Sequence, residues 1–264
     1  MKTKRNSPES GSEAASESDP GSSAGRARHL WVVVPAAGSG RRVGADRPKQ
    51  YLELAGRLLI EHTLERLAAT PCVAGIVVAL APEDRYWQQV RVPAKVPVET
   101  VNGGAMRHLS VRNALLWLAS RVADDEWVLV HDAARPCVRS EDIQRLVDCL
   151  WEDETGGLLA VPVADTMKRA AGTPPRVVET IDREGLWHAL TPQMFRRRSL
   201  QGAIEAAMQA GVAITDESSA MEYCGRRPRL IPGARDNIKV TTAQDLALAR
   251  HFLQREAGQQ VAQP

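Results

Sequence analysis

An α/β fold with a mostly parallel, twisted sheet is predicted by three features of this sequence. Short runs of apolar, β-branched residues alternate with segments whose apolar residues recur at helical spacing, and this alternation favours parallel strands joined by right-handed crossovers. The runs at residues 30–34 and 127–130 contain no charged side chain, as strands buried on both faces require. The 264 residues suit one sizeable α/β domain or two small ones, with a core that needs no disulfide or metal to support it.

Each predicted strand is a short apolar run, and each predicted helix has its apolar residues on one face. Strands are expected at residues 30–34, 75–80, 98–101, 127–130 and 157–161. Helices are expected at residues 59–67, 83–90, 110–118, 140–150, 197–210 and 242–254. Ser140 is the expected N-cap of its helix, because a serine hydroxyl can accept a hydrogen bond from an unpaired backbone N–H of the first turn.

Residues 163–185 interrupt the alternation of strands and helices. The segment is polar, has Pro174-Pro175 at its middle, and is flanked by β-prone pieces at 166–169 and 177–180. We interpret it as a protruding, hairpin-like β-arm. Since such an arm is too thin to bury a core of its own, we expect it to pack on a second subunit.

The folded domain is expected to span residues 29–258, with a disordered segment at each end. Residues 1–28 are mostly Ser, Gly and charged residues, which cannot bury enough apolar surface to offset the entropy of ordering. Residues 259–264 are also expected to be disordered. The first segment lacks the apolar stretch of a secretory signal, and its acidic residues are atypical of a transit peptide, so a cytoplasmic location is expected.

Composition excludes several classes of protein. The formal net charge of +2 gives no overall field that would favour nucleic acid or an anionic membrane, so anion binding must depend on local clusters. No apolar run approaches the roughly 20 residues that a membrane span needs. The cysteines form neither a CxxC pair nor a zinc-ligand spacing, and we expect small buried thiols in a reducing cytosol. They are Cys72, Cys137, Cys149 and Cys224.

A glycine-rich segment directly after the first strand is the strongest local sign of a binding site. Residues 35–42 read PAAGSGRR, and Lys49 follows within the PKQ of residues 48–50. Small residues after a strand allow backbone N–H groups to approach an anion, and the cations add charge. The spacing is not that of a Walker A loop, and the third glycine of a dinucleotide fingerprint is missing. A basic surface loop is the alternative.

Three further segments carry charged residues in places where chemistry is plausible. Asp132 ends a predicted buried strand, where open α/β sheets bind ligands, and its carboxylate can hold Mg²⁺; a structural aspartate is the alternative. His131 beside it is expected to be structural. Lys239 follows Asp236 late in the chain, a pairing that carries little weight alone. Arg183 can clamp a phosphate with its planar fork, although a solvated arginine at the base of the arm is the alternative.

Taken together, these segments resemble the 2-C-methyl-D-erythritol 4-phosphate cytidylyltransferase family. The likeness runs from about residue 30 to residue 253 and rests on seven motifs in order: PAAGSGRR, PKQYL, HDAARP, DTMKR, DREGLWHALTPQ, TDESSAMEYCG and DNIKVT. The resemblance implies a Rossmann-like nucleotidyltransferase fold, a homodimer whose arms reach across to the partner, and dependence on Mg²⁺. It also implies the transfer of CMP from CTP to a polyol phosphate in non-mevalonate isoprenoid precursor synthesis.

The same resemblance implies roles for individual residues. Arg42 and Lys49 would stabilise the transition state, and Arg183 and Lys239 would position the polyol phosphate. Asp132 would lie near the metal. The CTP site would be lined by Ala36, Ala37, Gly38, Gly40, Gly103, Gly104 and Ser110. The acceptor phosphate or its surroundings would be contacted by Thr166, Lys168 and Thr191. The chain departs from some relatives at Ala105, where they carry an acidic residue near the nucleoside.

Three other functions are alternatives to this one. A cytidylyltransferase for another polyol phosphate, such as ribitol 5-phosphate, would share the glycine-rich loop and the lysine. A non-catalytic nucleotide-binding or regulatory protein would not need Arg42, Lys49, Arg183 and Lys239 together. An NAD-dependent reductase is disfavoured by the glycine spacing and by the absence of an acidic residue at the end of the second strand.

Overall fold

The structure is a computed structural model that describes residues 28–38 and 47–261. The strands are β1 (Leu30–Pro35), β2 (Glu53–Leu54), β3 (Arg57–Leu58), β4 (Val73–Leu80), β5 (Val98–Asn102), β6 (Trp127–Val130), β7 (Gly157–Pro162), β8 (Met167–Ala171), β9 (Arg176–Ile181), β10 (Trp187–Arg196) and β11 (Arg229–Pro232). The α-helices are α1 (Leu59–Ala69), α2 (Arg107–Leu118), α3 (Ser140–Leu150), α4 (Arg197–Gln209), α5 (Glu217–Tyr223) and α6 (Ala243–Val261). Single 3₁₀ turns occur at Lys49–Tyr51 and Trp87–Gln89.

Seven strands form the central sheet in the order β11-β7-β10-β6-β1-β4-β5. Every neighbouring pair is parallel except the two pairs that β10 makes, with β6 and with β7. The prediction of an α/β fold with a mostly parallel sheet is therefore confirmed. The predictions did not include β10 or β11, because Pro192 interrupts the pattern of β10 and because β11 is a four-residue edge strand.

Helices cover both faces of the sheet, as the apolar strand runs predicted. Successive residues of a strand point to opposite faces. Val32 and Val34 of β1 accordingly pack in a cluster with residues of α1 and α3, whereas Val33 packs with residues of α2 and α4. All three valines are fully buried. Because β1 has no solvent-facing side, its carboxyl end can open only into the loops above the sheet.

Four predicted helix boundaries or types need correction. Helix α2 begins at Arg107, three residues before the predicted start, and the N-cap of α3 is Arg139 rather than Ser140, which is the first helical residue. Residues 83–90 contain only the Trp87–Gln89 turn, whose start is held by the Asp84 carboxylate rather than by a helical ladder. Helix α6 continues to Val261, past the predicted domain end at 258, in a stretch that contains the helix-favouring residues Ala, Gln and Glu.

The predicted arm is an antiparallel hairpin of β8 and β9. Every residue of β8 is exposed, and Val177 and Val178 of β9 are 64% and 62% exposed. This confirms the protruding β-arm and leaves apolar side chains on its surface. None of the helices among residues 28–38 and 47–261 is both long and apolar enough to span a bilayer.

The prediction of buried thiols holds for two of the four cysteines. Cys72 and Cys137 are buried, and burial raises their thiol pKa values to about 11 and about 12. Cys149 and Cys224 are exposed, which corrects the prediction. Cys149 lies on the outer side of α3, and Cys224 is the C-cap of the short helix α5.

Candidate active site

A cleft of about 440 Å³ opens beside the ends of β1 and β6. The carboxyl ends of parallel strands are where open α/β sheets bind ligands. The cleft is lined by Pro35, Ala36, Ala37, Gly38, Lys49, Gln50, Gly104, Ala105, Met106, Arg107, Ser110, Asp132, Ala133, Ala134, Lys239 and Thr241. The lining thus contains a set of small residues, called here the wall of small residues (Ala36, Ala37, Gly38, Gly104, Ala105 and Ser110), and a set of charged residues, called the charged wall (Lys49, Arg107, Asp132 and Lys239).

The wall of small residues is fixed from behind by hydrogen bonds. The Gln50 side-chain amide donates to the backbone carbonyl of Ala36 at 2.6 Å and to that of Gly38 at 3.3 Å. The Ser110 hydroxyl, in turn, accepts the Gly104 N–H at 3.1 Å. A ligand that enters this side of the cleft meets backbone and methyl groups held in place, which suits the close approach of a phosphate or a nucleoside.

Gly103 is required by the close packing behind this wall. A Cβ atom at Gly103 would lie 2.6 Å from the Ala37 Cβ and 2.8 Å from the Ser110 Oγ. The side chain of any other residue would therefore push the two sides of the cleft apart. Gly103 does not itself line the cleft, but its lack of a side chain sets the width of the cleft.

Asp132 belongs to the charged wall of the cleft and is surrounded by three cations. Its Oδ1 accepts from Arg107 Nε at 2.9 Å, its Oδ2 lies 2.8 Å from Lys239 Nζ, and Arg135 Nε lies 3.5 Å from the same Oδ2. Burial alone would raise the pKa of Asp132, but these cations lower it well below its ordinary value. Asp132 is therefore ionised at neutral pH and holds Lys239 in place at the cleft.

His131 supports Asp132 from beneath, as a neutral ring. Its Nε2 faces the Arg135 carbonyl at 3.1 Å, which can only accept, so Nε2 carries the hydrogen. Nδ1 then accepts from the Thr191 hydroxyl at 3.0 Å, and that hydroxyl accepts the Asp132 N–H at 3.1 Å. Burial lowers the pKa of His131 to about 4. The expectation that His131 is structural agrees with this geometry.

Lys49 lies on the same cleft as Lys239, although 190 residues separate them along the chain. Its Nζ donates to the carbonyl of Val240, the residue next to Lys239, at 2.9 Å. The 3₁₀ turn Lys49–Tyr51 and the loop after β11 thus bring two ammonium groups to one site. Two cations beside a cleft of this size suit a ligand that carries several negative charges.

Several residues that shape the cleft were absent from the predicted site. Arg107 joins the charged residues of the cleft to Glu217. The two terminal nitrogens of Arg107 both donate to Glu217, at 2.6 and 3.0 Å. The sequence contained a signal for Arg107, since it opens the helix three residues after Gly104. Glu217 had no such signal, because nothing in the sequence shows that α5 folds back against the cleft.

The predicted site residues fall into three groups. The structure brings Ala36, Ala37, Gly38, Lys49, Gly104, Ser110, Asp132 and Lys239 together on the cleft, with Gly103 and Thr191 directly behind it. Gly40 and Arg42 lie outside the described residues. Thr166, Lys168 and Arg183 are exposed on and beside the arm and are not on the cleft of this chain.

The arm residues have local partners instead. Lys168 Nζ donates to the Thr180 hydroxyl at 2.6 Å, across the hairpin. Arg183 donates to the carbonyl of Ala164 at the base of the arm. Within one chain, the three described cations among those predicted to surround the reacting phosphate are therefore divided between the cleft, with Lys49 and Lys239, and the arm, with Arg183.

Comparisons with known proteins place the chain in one family. The family model for 2-C-methyl-D-erythritol 4-phosphate cytidylyltransferase (IspD) matches residues 30–255. Relatives with that name include one from Vibrio vulnificus, 49% identical over 86% of this chain and 95% of its own, and one from Ectopseudomonas mendocina, 51% identical over 84% of this chain and 94% of its own.

Solved structures agree with the sequence relatives. The crystal structure of a 4-diphosphocytidyl-2C-methyl-D-erythritol synthase is 38% identical, with a TM-score of 0.75, over 86% of this chain and 99% of the other. That of the Francisella tularensis 2-C-methyl-D-erythritol 4-phosphate cytidylyltransferase is 34% identical, with a TM-score of 0.72, over 85% and 99%. The chain belongs to the 2-C-methyl-D-erythritol 4-phosphate cytidylyltransferase family.

Proposed function

We propose that this chain is an enzyme that transfers CMP from CTP to 2-C-methyl-D-erythritol 4-phosphate, releasing pyrophosphate, in non-mevalonate isoprenoid precursor synthesis. The family to which the chain belongs carries the assignment of substrates. The observation in the structure that carries the chemistry is the cleft that Lys49 and Lys239 line together with small residues. That arrangement suits a ligand with a planar base at one end and a chain of phosphates at the other.

The reaction needs positioning more than acid–base chemistry. An oxygen of the acceptor's phosphate attacks the α-phosphorus of CTP, the new P–O bond forms, and the bond to the β-phosphate oxygen breaks so that pyrophosphate leaves. A phosphate monoester is already anionic near neutral pH, so no strong base has to remove a proton. The main barrier is the approach of two anions, which fixed cations lower.

Individual residues would share this task. Lys49, with Arg42 of the glycine-rich loop, would offset the charge that grows on the α-phosphate and on the leaving pyrophosphate. Lys239, held by Asp132 at 2.8 Å, would face the acceptor's phosphate. The small residues that follow β1, with Gly104 and Ser110, would line the CTP site. Thr191 would act from behind Asp132, where its hydroxyl lies.

Magnesium fits this site only as an ion that arrives with the nucleotide. The residues that the structure describes contain no group of three or more His, Cys, Asp or Glu side chains able to hold a metal. Asp132 is the one carboxylate among the lining residues, and Mg²⁺ commonly takes one or two carboxylates plus substrate phosphates. We therefore propose MgCTP as the substrate, with Asp132 nearest the ion, which when bound would neutralise phosphate charge.

A homodimer would complete the site. Arg183, Thr166 and Lys168 are exposed, and the arm that carries them presents Met167, Val177 and other apolar side chains to its surroundings. We propose that each arm packs on a second copy of the chain and supplies Arg183 to the partner's acceptor site.

We also propose a cytoplasmic location, because all four cysteines are free, as in reducing compartments.

Release of pyrophosphate from CTP tests the proposed function. The purified chain is incubated with CTP, Mg²⁺ and either 2-C-methyl-D-erythritol 4-phosphate or ribitol 5-phosphate. We expect pyrophosphate and a CDP-linked product with the first acceptor and only background with the second. Turnover with ribitol 5-phosphate alone would reassign the substrate, and CTP binding without turnover on either would indicate a non-catalytic protein.

A further inference from the structure

Glu217 is a buried carboxylate beside the cleft that the reaction described above does not use. It is 1% exposed and is the first residue of α5. It does not cap that helix, because the Asp216 carboxylate accepts the Ser219 N–H. Instead, both Glu217 oxygens accept from Arg107, with Nη1–Oε1 at 2.6 Å and Nη2–Oε2 at 3.0 Å.

Arg107 connects Glu217 to the cleft. The two terminal nitrogens of its planar guanidinium are held by Glu217, so its third nitrogen, Nε, can point in only one direction, and there it donates to Asp132 Oδ1 at 2.9 Å. The other oxygen of Asp132 contacts Lys239 Nζ. A continuous series of charged contacts thus runs from α5 through α2 and the end of β6 to the ammonium at the cleft.

The charges in this series explain why Glu217 is needed. Arg107, Arg135 and Lys239 are three cations, and Asp132 and Glu217 are their two carboxylate partners. Burial raises the pKa of Glu217, and Arg107 counteracts that rise. Arg107 is one of the residues that line the cleft, so without the Glu217 carboxylate its terminal nitrogens could turn to the triphosphate of the nucleotide as another anionic partner.

We propose that Glu217 is a positioning residue that holds the terminal nitrogens of Arg107, so that Arg107 orients Asp132 and Lys239 instead of binding the triphosphate. The proposal rests on the proposed function, since it concerns the geometry of that reaction. It gives Glu217 no contact with substrate. Its loss should therefore damage the chemical step and spare the binding of the nucleotide.

Glu217→Gln tests this role, because it keeps the shape of the side chain and removes its charge. We expect kcat to fall about 10- to 100-fold, as for a reacting group displaced by about 1 Å. The Kd for MgCTP should stay within about twofold or become tighter, because the cleft gains net positive charge. The number of MgCTP molecules bound per chain, measured by calorimetry, should equal that of the wild-type protein, which rules out a loss of folded enzyme. Glu217→Asp, which keeps the charge, should retain most of the wild-type kcat.

Glu61→Gln is the matched control. Glu61 is also buried, at 2% exposed, and it accepts backbone N–H groups of Leu58 and Arg91, and none of these three residues lines the cleft. The same substitution there should lower the melting temperature without changing kcat or Kd.

Equal effects of the two Glu→Gln variants on kcat, or an unchanged kcat in Glu217→Gln, would overturn the positioning role. If Glu217→Gln does not fold, Arg107→Lys decides the question, since lysine keeps the charge but cannot hold both Glu217 oxygens. It should show the same fall in kcat with nucleotide binding retained, and wild-type kcat would overturn the proposal. A wild-type chain that releases no pyrophosphate would instead refute the proposed function itself.

Discussion

The cleft and the arm both carry predicted site residues, but they are built in opposite ways. In the cleft, Asp132 is buried, Lys239 and Arg107 reach it from separate segments of the chain, and Arg135 contacts it from three residues further along the same segment. In the arm, Arg183 and Lys168 are exposed, and they donate to the Ala164 carbonyl at the base and to the Thr180 hydroxyl across the hairpin. The cleft is therefore a pre-organised half-site. The arm, by contrast, carries cations and apolar surface, but these do not line the cleft of the same chain.

Removing Lys49 should have the largest effect, on the cleft side of this comparison. We expect Lys49→Ala to lower kcat about 10²- to 10³-fold, because one fixed donor to growing charge is worth about 3–4 kcal/mol in the transition state. Steady-state kinetics and thermal melting measure turnover and stability separately, and the melting temperature should change little. Lys95→Ala, an exposed lysine that donates to the Ala69 carbonyl, is the control. Near-normal turnover in Lys49→Ala would remove that residue from the site.

The pH dependence of stability tests whether His131, buried beside Asp132, is a neutral ring in the folded protein. The pKa of His131 is about 4 in the folded protein against an ordinary value of 6.5. As pH falls below about 6.5, His131 becomes protonated in the unfolded chain but stays neutral in the folded protein until about pH 4. The free energy of unfolding therefore decreases between about pH 6.5 and pH 4. At pH 4.5 the loss from this residue should be about 2–3 kcal/mol relative to pH 7.5.

Urea unfolding at the two pH values measures this loss. His131→Asn has no group that titrates there, so the wild-type protein should lose more stability than the variant does. Equal losses in the two proteins would show that His131 is not the buried neutral ring described here.

Arg183 tests the arm. Arg183→Ala should weaken use of the acceptor by about 1.5–3 kcal/mol, the worth of a hydrogen bond to a charged group, and leave the melting temperature unchanged. If the arm serves the partner's site, then mixing Arg183→Ala with Lys49→Ala and allowing subunits to exchange should restore activity. In such a hybrid dimer, the cleft of the Arg183→Ala subunit keeps Lys49 and receives Arg183 from the arm of the Lys49→Ala subunit, so this site is intact. The other site lacks both Lys49 and Arg183. Activity that stays at the level of the separate variants would place Arg183 with its own subunit.

The smallest expected effect concerns the surface of the arm. Val178→Lys should change the free energy of unfolding of one chain by less than about 0.5 kcal/mol, because Val178 is already 62% exposed. Sedimentation should nevertheless show a shift from dimer to monomer. Val212→Lys, at a valine 40% exposed outside the arm, is the control and should not change the mass of the particle. A dimer that tolerates Val178→Lys would move the interface elsewhere.

The sequence predicted the strands and the arm of the molecule better than the residues of its site. Strands such as β1 and β6 were evident because they are apolar on both faces, and the arm was evident because it is polar and contains Pro174-Pro175. The antiparallel strand β10 was missed because its pairing depends on strands distant in the sequence. Arg107 and Glu217 were missed for the same reason, since 110 residues separate them and only the fold of α5 against α2 joins them.

Strand β10 also limits where the chain can change in length. It begins just after the arm, pairs first with β7 alone, and carries Thr191 within an irregular step between Ala189 and Gln193. A one-residue slip in a strand moves each side chain to the opposite face. Residues added at the tip of the hairpin, near Gly172, leave this register intact, whereas residues added within β10, between Trp187 and Thr191, would displace the hydroxyl that supports Asp132. Relatives and engineered variants should therefore tolerate insertions at the tip and resist them within β10.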